Sequence, residues 1–425
     1  MIVVKKIKTS VWIIFTVMSG LFLFTKCISN DSAEEEEKPA VSITNAKGSA
    51  FASSQICANC HKDIYDSHLH TAHYLTSQPG NASYIKGNFD SGKNVFRYSD
   101  SVKVVMEKEG NNYYQVQYVN GKQKRKESFD IVIGSGTKGQ TYLYWNAKKI
   151  LQLPVFYYTD YHEWANSPGY PGKVIYNRPI TSRCLECHST YAQKISDEKQ
   201  EPEDFDRDKI IFGVDCEKCH GPSAQHAAFQ LENPKDTTGK FVINPGKLSR
   251  VQQLDLCALC HGGRLMKTKP SFTFQAGDAL TDFFQTDTTV KDAGDIDVHG
   301  NQLGLLSASK CFKMSEMTCS TCHNPHENEA GKIETFSSRC MNCHNETHNS
   351  FCKLGKTIGV VIAQNCIDCH MPVQASKAIV FLRQGETKPS KAFMRSHYIK
   401  IYPDETKKML EYIKAKTSRQ ASSGK

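Results

Sequence analysis

The sequence predicts a mixed fold, mainly α-helix and irregular loops, with an inserted antiparallel β-subdomain. Three observations predict it. The pattern C-x-x-C-H occurs seven times in 425 residues, once at 57–61 and six times between 184 and 370. The gap between the first two copies holds a stretch, 94–159, rich in Val, Ile, Tyr and Phe. The tail from Asp404 to Lys416 sets Met409, Leu410, Tyr412 and Ile413 on one helical face, with Pro403 and Asp404 at its start and lysines at its end.

The seven motifs are Cys57-Ala-Asn-Cys60-His61, Cys184-Leu-Glu-Cys187-His188, Cys216-Glu-Lys-Cys219-His220, Cys257-Ala-Leu-Cys260-His261, Cys319-Ser-Thr-Cys322-His323, Cys340-Met-Asn-Cys343-His344 and Cys366-Ile-Asp-Cys369-His370, numbered 1 to 7 below. Two thiols at this spacing form thioethers with the two vinyl groups of one haem, and the next histidine reaches the iron. The pattern is the c-type haem signature. Zinc sites also use paired C-x-x-C units, but zinc does not require a histidine after the second cysteine. Here all seven pairs have one, although the chain holds only 16 histidines. A thioredoxin-like site would use one such motif in a βαβ setting. The expectation is seven covalently bound haem c groups, with helices and loops wrapped around them.

Nine histidines remain after the seven proximal ones. Seven six-coordinate irons need seven distal ligands. If 61–76 is helical, His73 lies about 18 Å along the axis from His61, too far to return to its own haem, so it serves a neighbour. His326, three residues after His323, and His226 and His348, close behind their own motifs, read the same way. The foremost distal candidates are His73, His226, His299, His326 and His397, followed by His348 and His162. His68 and His70 are read as non-ligands. Met371, Met314 and Met317 are read as packing or proximal-side residues.

Within 94–159, Tyr114 to Tyr118 alternates and Asn120-Gly121 marks a hairpin. The expected organisation is a signal sequence over 1–26, a lipid-anchored or tethering flexible linker over 27–50, a first haem segment over 51–80, a β-rich insertion over 81–165, a hexahaem region over 166–400, and a C-terminal helix and tail over 401–425. The region around the last six motifs has little room for an apolar core of its own, and 231–246 and 281–304 read as loops. Cys311 and Cys352 belong to no motif; a disulfide between them is the expectation outside the cytoplasm.

Lys5, Lys6 and Lys8 precede an apolar run from Val11 to Phe24, too short for a comfortable membrane span of about 20 residues and suited to a secretory signal. Cys27 follows it as a candidate lipidation site, although Lys26 departs from the small residue usual there. The acidic run Glu34 to Glu37 lies in a polar tether. Export, to the periplasm or cell surface, is therefore expected, with the N-terminus tethering the chain to a membrane. The formal charge of +9 misleads. Residues 1–26 hold four lysines and no acid, and each ferric haem with two propionates contributes a net −1. The oxidised holoprotein then carries about −2, and nothing points to nucleic acid.

Several phrases resemble a known family. The segment Cys57 to His73, ending Thr71-Ala72-His73, is similar to the first haem segment of multihaem cytochromes related to the tetrahaem partner of hydroxylamine oxidoreductase. Cys216 to His226, with His220-Gly221-Pro222, resembles a haem-plus-distal-ligand segment of that group. His323-Asn324-Pro325-His326 and His370-Met371-Pro372 occur in the wider group, which includes pentahaem nitrite reductases. The likeness is of local motifs over roughly 57–76 and 180–400. It implies stacked haem pairs and a periplasmic redox role. The C-x-x-C-K motif of the nitrite reductases is absent: Lys353 follows Cys352, but Asn349 stands where the first cysteine belongs.

These features define the expected function: electron transfer between donor and acceptor redox proteins in an extracytoplasmic respiratory or extracellular chain, with no catalytic residue identified. The alternative is an oxidoreductase acting on nitrite, hydroxylamine or tetrathionate at one open haem. Motifs 2 and 4 have the least obvious distal partners, and Arg183 and Arg264 beside them could meet an anion or a propionate.

Overall fold

A computed structural model describes residues 42–286, 292–348 and 350–423. The basic n-region, the apolar run, Cys27 and the acidic run lie outside the described residues. Among the described residues, no helix is long and apolar enough to cross a membrane. The compact unit starts at Ile43, inside the expected linker. There Thr44 bridges Ala50, and Asn45 Oδ1 accepts from the N–H groups of Lys47 and Ser49, a local Asx turn.

The chain is 28% helix and 25% strand with several antiparallel sheets, so the expectation of a mainly helical fold is overturned. The helices are short. They are α1 (Ser54–Ala58), α2 (Lys62–His68), α3 (Ser182–His188), α4 (Cys216–His220), α5 (Ala224–Glu232), α6 (Arg250–His261), α7 (Gln302–Ser307), α8 (Lys310–Lys313), α9 (Ile333–Met341), α10 (Gly355–Ile358), α11 (Ile367–His370) and α12 (Pro403–Ser423). A C-x-x-C-H motif needs only one helical turn to bring positions i, i+3 and i+4 to one face, so nothing obliges the helix to continue past it. The expected helix over 61–76 is broken accordingly: α2 ends at His68, and a 3-10 turn follows at 74–76.

The β-subdomain reaches beyond 81–165. A four-stranded sheet runs β2 (Val95–Arg97), β3 (Val102–Glu109), β4 (Asn112–Val119), β5 (Lys122–Ser128). A seven-stranded sheet joins β1 (Ser77–Pro79), β6 (Ile131–Ile133), β7 (Gly139–Asn146), β8 (Lys149–Gln152) and β11 (Arg178–Pro179), with β9 (Val155–Tyr158) on β7 and β10 (Glu163–Asn166) on β9. The sheets share one core of Phe96, Val104, Met106, Phe129, Tyr142, Tyr144, Val155, Tyr157 and Trp164. The β4–β5 hairpin turns at Asn120 and Gly121, both at positive φ (49° and 73°), the type I′ geometry that Asn-Gly favours.

Three further hairpins lie around the last six motifs: β12 (Ser189–Lys194) with β13 (Phe205–Phe212), β14 (Leu265–Lys267) with β15 (Phe284–Thr286), and β16 (Val373–Phe381) with β17 (Ser390–Arg395). The last one docks on the β-subdomain. Phe381 packs against Phe156 and Tyr158 at 5.0 and 4.6 Å between ring centres, Asn166 N–H donates to Leu382 O at 3.0 Å, and Arg383 pairs with Glu163. Helix α12 runs on to Ser423 and lies against α11. A small apolar cluster of Ala258, Leu259, Leu265, Phe274, Leu280 and Phe284 also gives part of this region a core of its own.

Candidate haem centres

Each motif folds as a turn that gathers its donors. In motifs 1, 5 and 6 the histidine N–H donates to the carbonyl of the first cysteine at 2.9 Å, and in motif 7 at 3.1 Å. Motifs 2, 3 and 4 lie within α3, α4 and α6. The i, i+3, i+4 spacing therefore sets both thiols and the imidazole on one face, the donor arrangement a c-type haem requires. Polar caps hold these turns. Asp215 Oδ1 accepts from Cys216 N–H at 2.8 Å. Ser249 and Gln252 form a reciprocal capping box at the start of α6.

Across from the proximal rings stand other histidines. Ring centres are 6.2 Å apart for His73 and His261, 6.1 Å for His220 and His326, and 6.2 Å for His323 and His397. Two imidazoles bound through metal–nitrogen bonds of about 2 Å, each with its ring centre about 1 Å behind the nitrogen, stand roughly 6 Å apart. The three spacings fit one iron between each pair. His299 is within electrostatic reach of His188. Burial pushes His73 and His397 down to about 4 and also lowers His188, His261, His299, His323 and His326, favouring the neutral ring that iron ligation needs. His73 and His261 keep accessible surface, and desolvation by the surrounding chain is the largest cause of their shifts.

The second ring nitrogens are also positioned. Nδ1 of His220 meets Ile243 O at 2.8 Å, that of His370 meets Lys400 O at 2.9 Å, and that of His344 meets Ser350 O at 3.3 Å. A carbonyl only accepts, so Nδ1 carries the proton and Nε2 is left as the donor to a metal. His188 Nδ1 meets Thr76 Oγ1 at 3.0 Å, and His261 Nδ1 meets Gln302 Oε1 at 3.1 Å. His226 has the same signature, with Nδ1 on Lys240 O at 2.8 Å. Its helix α5 begins beside the first haem segment, where Ala224 N–H donates to Ala50 O at 3.2 Å.

Other candidates fare differently. His162 sits exposed in a left-handed turn (φ 53°) between β9 and β10, and His348 is exposed just past motif 6; neither faces a proximal ring at the 6 Å spacing. His70 is exposed. His68, set aside from the sequence, is only 7% exposed. Its ring packs on Tyr74 and His326 at 6.0 and 6.4 Å, and its Nε2 lies 3.6 Å from Asp215. A lone histidine in a cluster of three gave no signal of this in sequence. Arg183 does not point to an open anion site: it pairs with buried Glu186 at 2.9 Å and donates to Leu259 O at 2.8 Å. The expected disulfide is not formed, since Cys311 and Cys352 are both free. Cys311 interacts with Cys343 and Cys322, and Cys352 with Cys369, so they attend different motifs.

Repeated thiol-plus-imidazole turns, facing histidines and a haem-motif sequence are features the chain shares with multihaem c-type cytochromes. Residues 172–221, which span motifs 2 and 3, match the family described as cytochrome c554 and c-prime. The multihaem cytochrome MtrA of Shewanella baltica (strain OS185) is 29% identical over 179 residues, 38% of this chain and 52% of that protein. The chain thus spans about half the length of this curated relative. The crystal structure of the outer cell wall cytochrome OcwA shares the fold, with a TM-score of 0.51 and 16% identity over 84% of this chain and 81% of that one.

Proposed function

We propose that the chain is a heptahaem electron carrier of an extracytoplasmic respiratory or extracellular electron-transfer chain, with one haem c on each C-x-x-C-H motif. The observation that carries this reading is the set of facing imidazoles. His261 faces His73, His220 faces His326 and His323 faces His397; the reading extends to His188 with nearby His299 and, because α5 starts beside the first haem segment, to His61 with His226. Bound haem supplies a one-electron iron couple. The paired histidines would hold the iron on both faces and leave no open position for substrate, while the Nδ1 contacts fix ring tautomer and orientation.

The geometry disfavours an enzyme working at motif 2 or 4. His73 stands opposite His261, His299 lies near His188, and Arg183 is held by Glu186. The sequence phrases shared with the partner cytochrome of hydroxylamine oxidoreductase and with the pentahaem nitrite reductases support a related packing of haems. Signal peptide, lipidated Cys27 and membrane tether belong to the same reading. On this reading the chain passes electrons from a donor to an acceptor redox protein. Pyridine haemochrome should count seven haems, and low-temperature EPR of the oxidised protein should show low-spin ferric iron at the sites whose proximal histidine is paired above, motifs 1 to 5. A high-spin component at motif 2 or 4 would overturn the closed-site reading and reopen nitrite, hydroxylamine and tetrathionate as substrates.

A further inference from the structure

The β16–β17 hairpin carries an irregularity that its own ladder does not use. Ala375 pairs with Phe393 and Val380 with Lys391, so residues 376–379 have only Ala392 opposite them. A bulge of this kind leaves backbone N–H groups outside the ladder, and here they converge on one carboxylate. The N–H of Lys377 donates to Asp297 Oδ2, and that of Ala378 donates to the same oxygen at 3.1 Å. Ser376 is fully buried. Its Oγ donates to Asp297 Oδ1 at 2.9 Å and accepts from the N–H groups of Ala378 and Ile379 at 3.1 and 2.9 Å. The bulge is a socket of donors, and Asp297 fills it.

Asp297 belongs to a distant part of the chain, the segment that leads into α7. That segment is fixed a second time further on. Gly300 O accepts from the N–H of Gly263, two residues past motif 4, at 2.8 Å, and Gln302 Oε1 meets His261 Nδ1 at 3.1 Å. Asn301 Oδ1 accepts from Gly304 N–H at 3.0 Å and caps α7. Val298, between the two fixings, is buried. Residues 297–302 therefore form a strap with one end in the β16 bulge and the other on motif 4.

His299 lies between those ends. Its N–H donates to Asp297 Oδ1 at 2.7 Å, so the carboxylate seated in the socket also holds the histidine's own backbone. Lys377 grips the approach to the strap, with Nζ donating to Gly294 O at 3.1 Å. His226 is carried by a helix, α5, whereas His299 stands in neither helix nor strand. An imidazole on such a segment is aimed by the contacts of its neighbours, and bonds from amides to a carboxylate are charge-assisted and about twice as strong as neutral ones.

We propose that Asp297 is the positioning residue of His299: its carboxylate, locked into the β16 bulge, sets where the imidazole stands as a distal ligand. This rests on the reading of His299 as a ligand and adds the group that keeps it there. The hairpin that docks on the β-subdomain thereby also braces a haem site.

Carbon monoxide titration of the dithionite-reduced holoprotein counts the haems whose distal position can be taken. Relative to wild type, His299→Ala should bind one further CO per chain. Asp297→Ala should bind one further CO as well, with the wild-type haem content by pyridine haemochrome. The double variant should bind no second one, because both changes act on a single ligand. Asp292→Ala removes only an acceptor for Gly294 N–H in the same segment and should leave the count unchanged. A wild-type count for Asp297→Ala beside a raised count for His299→Ala would overturn the positioning role and leave the ligand standing. A wild-type count for His299→Ala would remove His299 from the ligand set, and the proposal with it. A raised count for Asp292→Ala would show that any loosening of the segment frees the ligand, which also overturns the role. If Asp297→Ala yields no holoprotein, Asp297→Asn decides, since it keeps one acceptor oxygen for four donors. It should raise CO occupancy at that one haem part of the way, and no rise would overturn the proposal. In the wild type, the amides of Lys377 and Ala378 should exchange slowly although they lie in a bulge; exchange as fast as in an exposed loop would remove the socket.

Discussion

At the scale of single residues, the chain treats its histidines and acids as parts with separate tasks. On the proposed reading thioethers would hold each haem whether or not its distal ligand is present, so His73→Ala should keep the wild-type haem count by pyridine haemochrome. The site of His261 should then give a high-spin EPR signal. An unchanged low-spin spectrum would remove His73 from the ligand set. Glu217 has a structural task. Its carboxylate accepts from the N–H groups of Ala52, Ser53 and Ser223 and sews the start of the first haem segment to motif 3. Glu217→Ala leaves buried donors unpaired and should lower stability by about 1–3 kcal/mol in urea unfolding; a change below a few tenths would show that water takes over these bonds. The cysteines and histidines of the seven motifs stand out in sequence because the chemistry proposed for them fixes their spacing. The facing histidines were legible only as a list, since which ring meets which iron is set by tertiary contacts. The burial of His68 beside Asp215 and His326 leaves no local trace in the sequence.

At the scale of elements, legibility follows how local the cause is. The β4–β5 hairpin was readable because alternation and Asn120-Gly121 both lie within a few residues. The hairpins β12–β13, β14–β15 and β16–β17 were not, because their strands pair across intervening segments and two of them are only three residues long. The motifs drew attention to helix, yet one turn satisfies each of them. Gly213 shows how tightly these pieces cross. It lies between β13 and motif 3 at φ +70°, its N–H donates to Ser77 Oγ at 2.9 Å, and an added Cβ would stand 2.2 Å from Tyr74 O. Gly213→Ala meets both backbone strain and that backbone oxygen, so it should destabilise by at least about 1–3 kcal/mol. The mirror-image control is the exposed Gly92, also at positive φ but with open space around its Cβ, where alanine should cost only the smaller conformational penalty. Equal losses at the two sites in thermal unfolding would show that the crossing relaxes freely.

At the scale of the whole molecule, the chain has two kinds of interior. The β-subdomain closes around a core that contains no motif, with Tyr142 stacked on Phe129 at 4.3 Å and Val104, Met106 and Val116 fully buried. Phe129→Ala should therefore cost about 3–5 kcal/mol without changing haem content, as unfolding and haemochrome assays would report. The stretch from Lys313 to Val361 is the opposite case. It carries motifs 5 and 6, yet among its described residues only Glu329 and Ser337 are buried, and both are polar. Apolar burial of that kind cannot offset the conformational entropy of ordering the backbone, about 1–2 kcal/mol per residue, so the macrocycles must provide the missing interior there. Chain produced without covalent haem should then show hydrogen exchange protection over 95–166 comparable to the holoprotein, because that core is made of protein alone. The same sample should show none over 313–361. Protection of 313–361 in the haem-free chain would mean that the polypeptide orders this segment by itself, and that haem is cargo rather than core.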